Sequence, residues 1–342
     1  MQTTILITGA QGELGHALIN SIAATRDTHI VALDRDPLDE KIAPKVSAEI
    51  QGDICDPALI TSLRARFQFD TIFHFAALLS TATEKQPLRA HEVNINGSLR
   101  LLELAHASSE QSNKPTRFIF PSTVAAYGLP TSISKSAAGK VAEESYLTPA
   151  TLYGSQKLFV EQLGRYFENY IYSLEEHTRA TTRIDFRALR FPGLISADTV
   201  PTGGTSDYGA EMLHHAAQGK PYNCFVEPEA VLPFMAMPDA VRAILLLAQT
   251  PREQLTRKVY NVTGFSIGAE QIRQEVLKHF PGATIGYKLH PRRAEIVASW
   301  PGDLDDTAAK RDFDWAPEYD ASRIFSDYLV PAIQQRYNLR SS

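Results

Sequence analysis

Three observations predict an α/β fold: a doubly wound parallel sheet with a smaller C-terminal substrate lobe. Short β-branched runs alternate with helical patterns through the first two-thirds of the chain. A glycine-rich turn follows the first of these runs and opens a helical stretch. Past Pro192 the rhythm breaks, and Gly and Pro cluster from Pro192 to Gly204.

The expected strands are Thr4–Thr8, His29–Leu33, Thr71–Phe75, Arg117–Pro121 and Arg183–Arg190. Each is followed by room for a crossover helix, and the expected helices are Glu13–Ala24, Pro57–Phe67, Arg89–Ser108 and Tyr153–Tyr172. Within Asn96–Ala107 the residues Leu99, Leu101, Leu102, Leu104 and Ala105 keep to one helical stripe. A chain of 342 residues is long enough for two domains. The change of texture places them at 1–190, a dinucleotide-binding half, and 191–342, a mixed α/β substrate lobe. The Gly-rich Pro201–Gly204 reads as a mobile loop between them.

Composition narrows the class of partner. Hydrophobic residues make up 44% and charged residues 21%, which excludes a disordered or collagen-like chain. With 34 Lys and Arg against 39 Asp and Glu the net charge is −5, and no basic stripe suits nucleic acid. The longest apolar run, Ala243–Ala248, is far shorter than the ~20 residues of a membrane span. The first residues enter a strand pattern without a basic n-region, so a cytoplasmic protein is expected. Cys55 and Cys224 stand far apart, which speaks against a disulfide framework and a structural zinc site.

The turn after the first strand reads Gly9-Ala10-Gln11-Gly12-Glu13-Leu14-Gly15. Glycines there allow a tight turn and close approach of a pyrophosphate to a helix N-terminus, the Rossmann-type arrangement. Asp34 ends the second strand nineteen residues after Gly15, where a carboxylate hydrogen-bonds the adenosine ribose hydroxyls. It would repel a 2′-phosphate, which favours NAD over NADP, although Arg35 next in line is a group that could accept one.

Tyr153-Gly154-Ser155-Gln156-Lys157 begins a helical pattern and places Tyr153 and Lys157 one turn apart on one face. A tyrosine of pKa near 10 is a poor base, but a nearby ammonium and an oxidised nicotinamide favour its phenolate. Tyr153 then takes a proton from a substrate hydroxyl, and Lys157 also holds the nicotinamide ribose. Ser122 and Thr123 lie just past a parallel strand, where ligands bind in open α/β sheets. Thr123 is expected to hydrogen-bond the reacting oxygen, with Ser122 the next candidate. Either hydroxyl could equally cap a turn.

Together with Gly52-Asp53-Ile54, His74-Phe75-Ala76-Ala77 and Asn94, these motifs resemble the extended short-chain dehydrogenase/reductase superfamily over about the first 195 residues. The resemblance implies that Asp53 and Ile54 sit by the adenine. It implies that His74, Ala76, Ala77 and Asn94 belong to the cofactor cleft, and that Thr123, Tyr153 and Lys157 form the catalytic set. The later series is Arg190-Phe191-Pro192-Gly193-Leu194, Gly203 to Tyr208, Gly219 to Tyr222, Leu232 to Met235, Met237 to Ala240 and Ser299-Trp300-Pro301. It is similar to the short-chain L-threonine 3-dehydrogenase family, which implies oxidation of L-threonine and places Pro192 and Leu194 at the cofactor. Gly209 and the charged Arg293-Ala294-Glu295 depart from that pattern and receive no role in the chemistry.

A small zwitterion suits the remaining residues. Gly203, Gly204 and Thr205 can present successive N–H groups and a hydroxyl to a carboxylate. Ser80 is a second polar group near the nicotinamide end, or a helix cap. No metal is expected, because His214 and His215 are adjacent on a helix and His290 is remote, so they do not make a ligand set. Two other readings compete. A sugar-nucleotide epimerase or dehydratase would need basic groups for a diphosphate, and Lys220 is the only Lys or Arg from Pro192 to Met237. A non-catalytic dinucleotide sensor would not need the Thr123, Tyr153 and Lys157 set. The resemblance also implies a homodimer built on the helices Arg89–Ser108 and Tyr153–Tyr172.

Overall fold

The computed structural model describes residues 3–23, 28–171, 183–197, 200–201 and 204–338. Gly203, Ala24 and Tyr172, which figure in the expectations above, lie outside them. The chain divides into two compact units, both discontinuous in sequence. One comprises residues 1–122, 155–189 and 241–260, the other residues 123–154, 190–240 and 261–342.

The first unit is organised by a seven-stranded sheet. From one edge its order is Val259–Asn261, Asp185–Phe191, Arg117–Thr123, Thr71–His74, Thr3–Thr8, Thr28–Asp34 and Ala48–Gln51. The first strand pairs in parallel with Thr28–Asp34 on one side and Thr71–His74 on the other. The topology therefore reverses beside Thr8, the position where doubly wound sheets open a crevice for a ligand. The α/β doubly wound expectation holds. The short strands Ala48–Gln51 and Val259–Asn261 were not among the expected ones, because three or four residues leave little periodicity to read.

Buried Leu6, Val31, Leu33, Ile72, Phe118 and Phe186 form the core beneath the helices of this unit. Near-continuous apolar strands of this kind are covered on both faces. The expected helix Arg89–Ser108 is broken into Pro87–His91, a π-helical turn Glu92–Gly97, and Ser98–Ser112. Gly164, on the helix Leu152–Asn169, faces the Phe186 ring so closely that a Cβ there would overlap the ring.

The second unit has its own core around Tyr127, Tyr208, Phe225, Phe234, Trp300 and Phe325. A three-stranded sheet runs Phe265–Gly268, Val231–Ala236, Gly193–Ile195. Two small parallel pairs join Ile285–Tyr287 to Tyr222–Cys224 and Asp303–Leu304 to Lys140–Val141. Among the described residues no helix is long and apolar enough to cross a membrane.

Gly164→Val forces a branched side chain against the Phe186 ring. It should lower unfolding free energy by about 1–3 kcal/mol or more, read as a lower urea midpoint.

Candidate active site

The first strand ends at Thr8 and the chain reverses through Gly9, whose φ of +69° lies in the left-handed region. A Cβ on Gly9 would also stand 2.6 Å from the Ala76 nitrogen, so only glycine brings these two segments together. Gly15 faces the Gly9 carbonyl with no room for a Cβ. Gly12 caps the helix Glu13–Ile22 with no side-chain hydrogen bond. The first-turn amides, Glu13 and Leu14 among them, are thus presented by a cap without a side chain. Glycines at 9, 12 and 15 let the turn pack backbone on backbone, the tight turn that fits a pyrophosphate.

Asp34, at the end of the second strand, accepts hydrogen bonds from the Gln11 amide at 2.9 Å and the Asp36 amide at 3.1 Å. An ionised carboxylate offers about four acceptor positions, so capacity for ribose hydroxyls remains. Gln11 braces the loop, its Oε1 accepting from the Asp39 amide at 3.1 Å. Arg35 is exposed and stands 3.8 Å from Asp36. Asp53 is held by the Cys55 amide and the Arg89 guanidinium. Burial opposes its ionisation, but those partners prevail and keep its carboxyl below the usual range. Ile54 is buried against Gly97. The glycine turn and the strand-end carboxylate fit a dinucleotide.

The His74 ring is buried between the Thr8 and Ser98 hydroxyls, each at 2.8 Å. Burial, aided by the charge of Lys157, lowers its pKa to about 3, so it is neutral. The residue orders the strand ends from within and leaves Ala76 and Ala77, both half-buried, to follow. Asn94 lies in the π-helical turn and closes a ring with Leu78, donating to its carbonyl at 3.0 Å and accepting from its amide at 2.8 Å. It also donates to Gln156 Oε1 at 2.7 Å, tying that loop to the helix Leu152–Asn169. Ser80 is the first residue of the next helix, Ser80–Lys85.

Lys157 is buried on the same helix. Its Nζ donates to the Pro121 carbonyl at 2.8 Å and lies 4.4 Å from the Phe120 ring centroid. Burial lowers its pKa to about 7, against the pull of Glu161 one turn further on. Ser122 is buried too and donates its hydroxyl to Glu161. Sequence reasoning passed over both Gln156 and Glu161. The i,i+4 spacing from Lys157 could have revealed Glu161, whereas nothing local marks Gln156.

In the second unit, Thr123 ends its strand and its Oγ1 accepts from the Ala125 amide at 3.1 Å, capping a short 3-10 turn. A hydroxyl that accepts there still has its own hydrogen to donate. Tyr153 is half-buried and packs against the second core. Burial raises its phenol above the ordinary range, so it is protonated at neutral pH. Gly154 rests directly on the Ala125 carbonyl, where any Cβ would overlap it. This seats the tyrosine's end of the helix on the turn that Thr123 caps. Pro192 precedes the strand Gly193–Ile195, which contains Leu194.

Thr205 is buried, and the amide of Gly204 is donated to Asp207 Oδ2 at 2.6 Å. That amide is therefore already engaged. The three histidines weighed as ligands have other partners. His214 meets the Tyr337 hydroxyl at 2.8 Å, His215 packs on Tyr222, and His290 caps the helix Pro291–Ala298.

A lysine whose pKa falls on folding lowers stability at every pH where the unfolded chain holds that proton. Unfolding takes up a proton between about pH 7 and 10.5, so this cost is complete below pH 7 and fades as pH rises through that window. Lys157→Met should therefore raise the unfolding free energy of the cofactor-free protein at pH 6–7 by on the order of a few kcal/mol, read as a higher urea midpoint. The difference should shrink toward pH 10.

Comparison with known proteins agrees with this geometry. Residues 5–263 match the NAD-dependent epimerase/dehydratase family. The chain is 32% identical over 330 residues to the mitochondrial L-threonine 3-dehydrogenase of Bos taurus, covering 96% of this chain and 82% of that one. It superposes on the holo form of a GalE-like L-threonine dehydrogenase from Cupriavidus necator with a TM-score of 0.82 at 30% identity, covering 96% and 99%. A monomeric L-threonine 3-dehydrogenase from a metagenome gives the same TM-score at 30% identity, covering 97% and 99%. With its glycine turn, its strand-end carboxylate and a match over most of its length, the chain belongs to the NAD-dependent epimerase/dehydratase family.

Proposed function

We propose that the protein is an oxidoreductase that uses NAD to convert L-threonine, at its 3-hydroxyl, into L-2-amino-3-oxobutyrate. The observation that carries this reading is the seat of Gly154 on the Ala125 carbonyl, which brings Tyr153 to the turn capped by Thr123. Relatives named for this activity, similar along nearly the whole chain, support the choice of substrate. In this reading residues 1–190 supply most of the cofactor site and residues 191–342 the substrate lobe.

Gly9, Gly12, Gly15 and the first-turn amides would hold the pyrophosphate, Asp34 the adenosine ribose and Asp53 and Ile54 the adenine. When bound, the dinucleotide supplies the acceptor for the hydride that leaves the carbinol carbon. Thr123 donates a hydrogen bond to the substrate oxygen and fixes its position. Tyr153 removes the hydroxyl proton as its phenolate, a form that burial disfavours until positive charge is near. Lys157, anchored on Pro121, is the protein's own source of that charge and would also hold the ribose hydroxyls. Its lowered pKa makes this charge sensitive to pH near neutrality.

The same reading includes a homodimer formed through the helices Ser98–Ser112 and Leu152–Asn169. Exposed Phe159 and Tyr166 on the second helix, and Tyr170 just past it, support that face. One similar protein is described as monomeric.

Tyr153→Phe should leave NAD binding intact, as read by fluorescence titration, and reduce turnover of L-threonine by a factor of ~10² or more. Near-normal turnover removes Tyr153 as the base. Asp34→Ala should erode the preference for NAD over NADP, measured as the ratio of kcat/KM values. An unchanged ratio removes Asp34 from ribose recognition.

A further inference from the structure

Both backbone groups of Gly204 are engaged. Its amide is donated to Asp207, and its carbonyl accepts from Arg293 Nη2 at 2.6 Å. Arg293 stands on the helix Pro291–Ala298, and its guanidinium carbon lies 3.3 Å from the Phe225 ring centroid. Phe225 in turn meets Tyr208 edge to face at 5.8 Å. These rings belong to the apolar cluster against which Tyr153 packs. The same helix is tied to the segment after Thr123, since the Leu129 amide donates to the Ser299 carbonyl at 2.8 Å. Lys135 Nζ adds a bond to the Val297 carbonyl at 3.4 Å.

Among the described residues no carboxylate lies within ion-pair distance of Arg293. Arg292 is the neighbour that stands 3.7 Å from Glu295. Glu211 is held by the Tyr222 hydroxyl at 2.5 Å, and Asp207 is turned to the Gly204 amide. The Nε of Arg293 is buried without a hydrogen-bond partner. A partly buried cation lacking a counter-charge is costly, and it is accounted for when the missing anion is a ligand.

We propose that Arg293 recognises the carboxylate of the substrate, the same guanidinium fastening the Gly204 segment beside Thr205. This deepens the function proposed above and rests on it. A planar guanidinium suits the two oxygens of one carboxylate. One such group matches a single carboxylate better than a diphosphate.

Arg293→Gln keeps a donor for the Gly204 carbonyl and removes the charge. Its KM for L-threonine should rise about ten- to a hundredfold while NAD affinity stays the same. Oxidation of 1-amino-2-propanol, which lacks the carboxylate, should be equal in both proteins. Equal losses on the two substrates, or an unchanged KM, would overturn the assignment in favour of a purely structural tie. If circular dichroism shows that the Gln variant does not fold, Arg293→Lys takes its place. It should show a smaller rise in KM for L-threonine and none for the amino alcohol.

A wild-type chain that oxidises no L-threonine refutes the functional reading, and the subsite is then judged separately. Tryptophan fluorescence is followed while L-threonine, L-serine, 3-hydroxybutyrate and UDP are titrated. A carboxylate response lost in Arg293→Gln retains the subsite. No carboxylate response, or a preference for UDP, overturns it.

Discussion

The amino end of the helix Leu152–Asn169 rests on a bare peptide. Gly154 touches the Ala125 carbonyl with no space for a side chain, and much of the candidate chemistry depends on that approach. Ala125 follows Thr123 in the turn that Thr123 caps, while Tyr153 precedes Gly154. Two residues expected to meet one substrate oxygen are thus positioned by backbone against backbone. The cofactor side uses the same device, with Gly9 against Ala76 and Gly15 against the Gly9 carbonyl. Contacts of this sort are short and stiff, and they hold a site more firmly than flexible side chains do.

Electrostatics around the first unit's strand ends follow one rule. Lys157 is buried with the Pro121 carbonyl as hydrogen-bond partner, and Glu161 lies one turn along the helix, holding Ser122. A protonated histidine nearby would oppose the lysine. His74 is kept neutral by burial between two hydroxyls, so the strand end carries one positive charge instead of two. The low pKa of Lys157 is the energetic cost of burying a charge.

How much of this was legible differs from residue to residue. The β-branched runs marked five strands to within about two residues, because a sheet covered on both faces needs unbroken apolar stretches. The helix expected over Arg89–Ser108 hid a π-helical turn, since an inserted residue shifts the apolar stripe without erasing it. Ser122 and Thr123 were both visible as strand-end hydroxyls, but adjacent residues of a strand point to opposite faces. Only the fold shows Ser122 turned to Glu161 and Thr123 to its own turn. Gln156 was out of reach, because its partner Asn94 is 62 positions away and no local spacing encodes that pairing. Arg293 looked like a charged departure from a pattern until its bond to Gly204 gave it a place.

The interleaving of the two compact units has a consequence for how the chain is born. The first unit draws on residues 1–122, 155–189 and 241–260, so a growing polypeptide holds an incomplete sheet until Tyr260 has emerged. The edge strand Val259–Asn261 and its neighbour Asp185–Phe191 come late, while five strands have already been made. Until then an apolar sheet edge stands open during synthesis, the condition under which nascent chains pair wrongly or recruit chaperones. The second unit waits longer, for residues up to its C-terminal segment. No fragment ending before residue 260 can contain either unit whole.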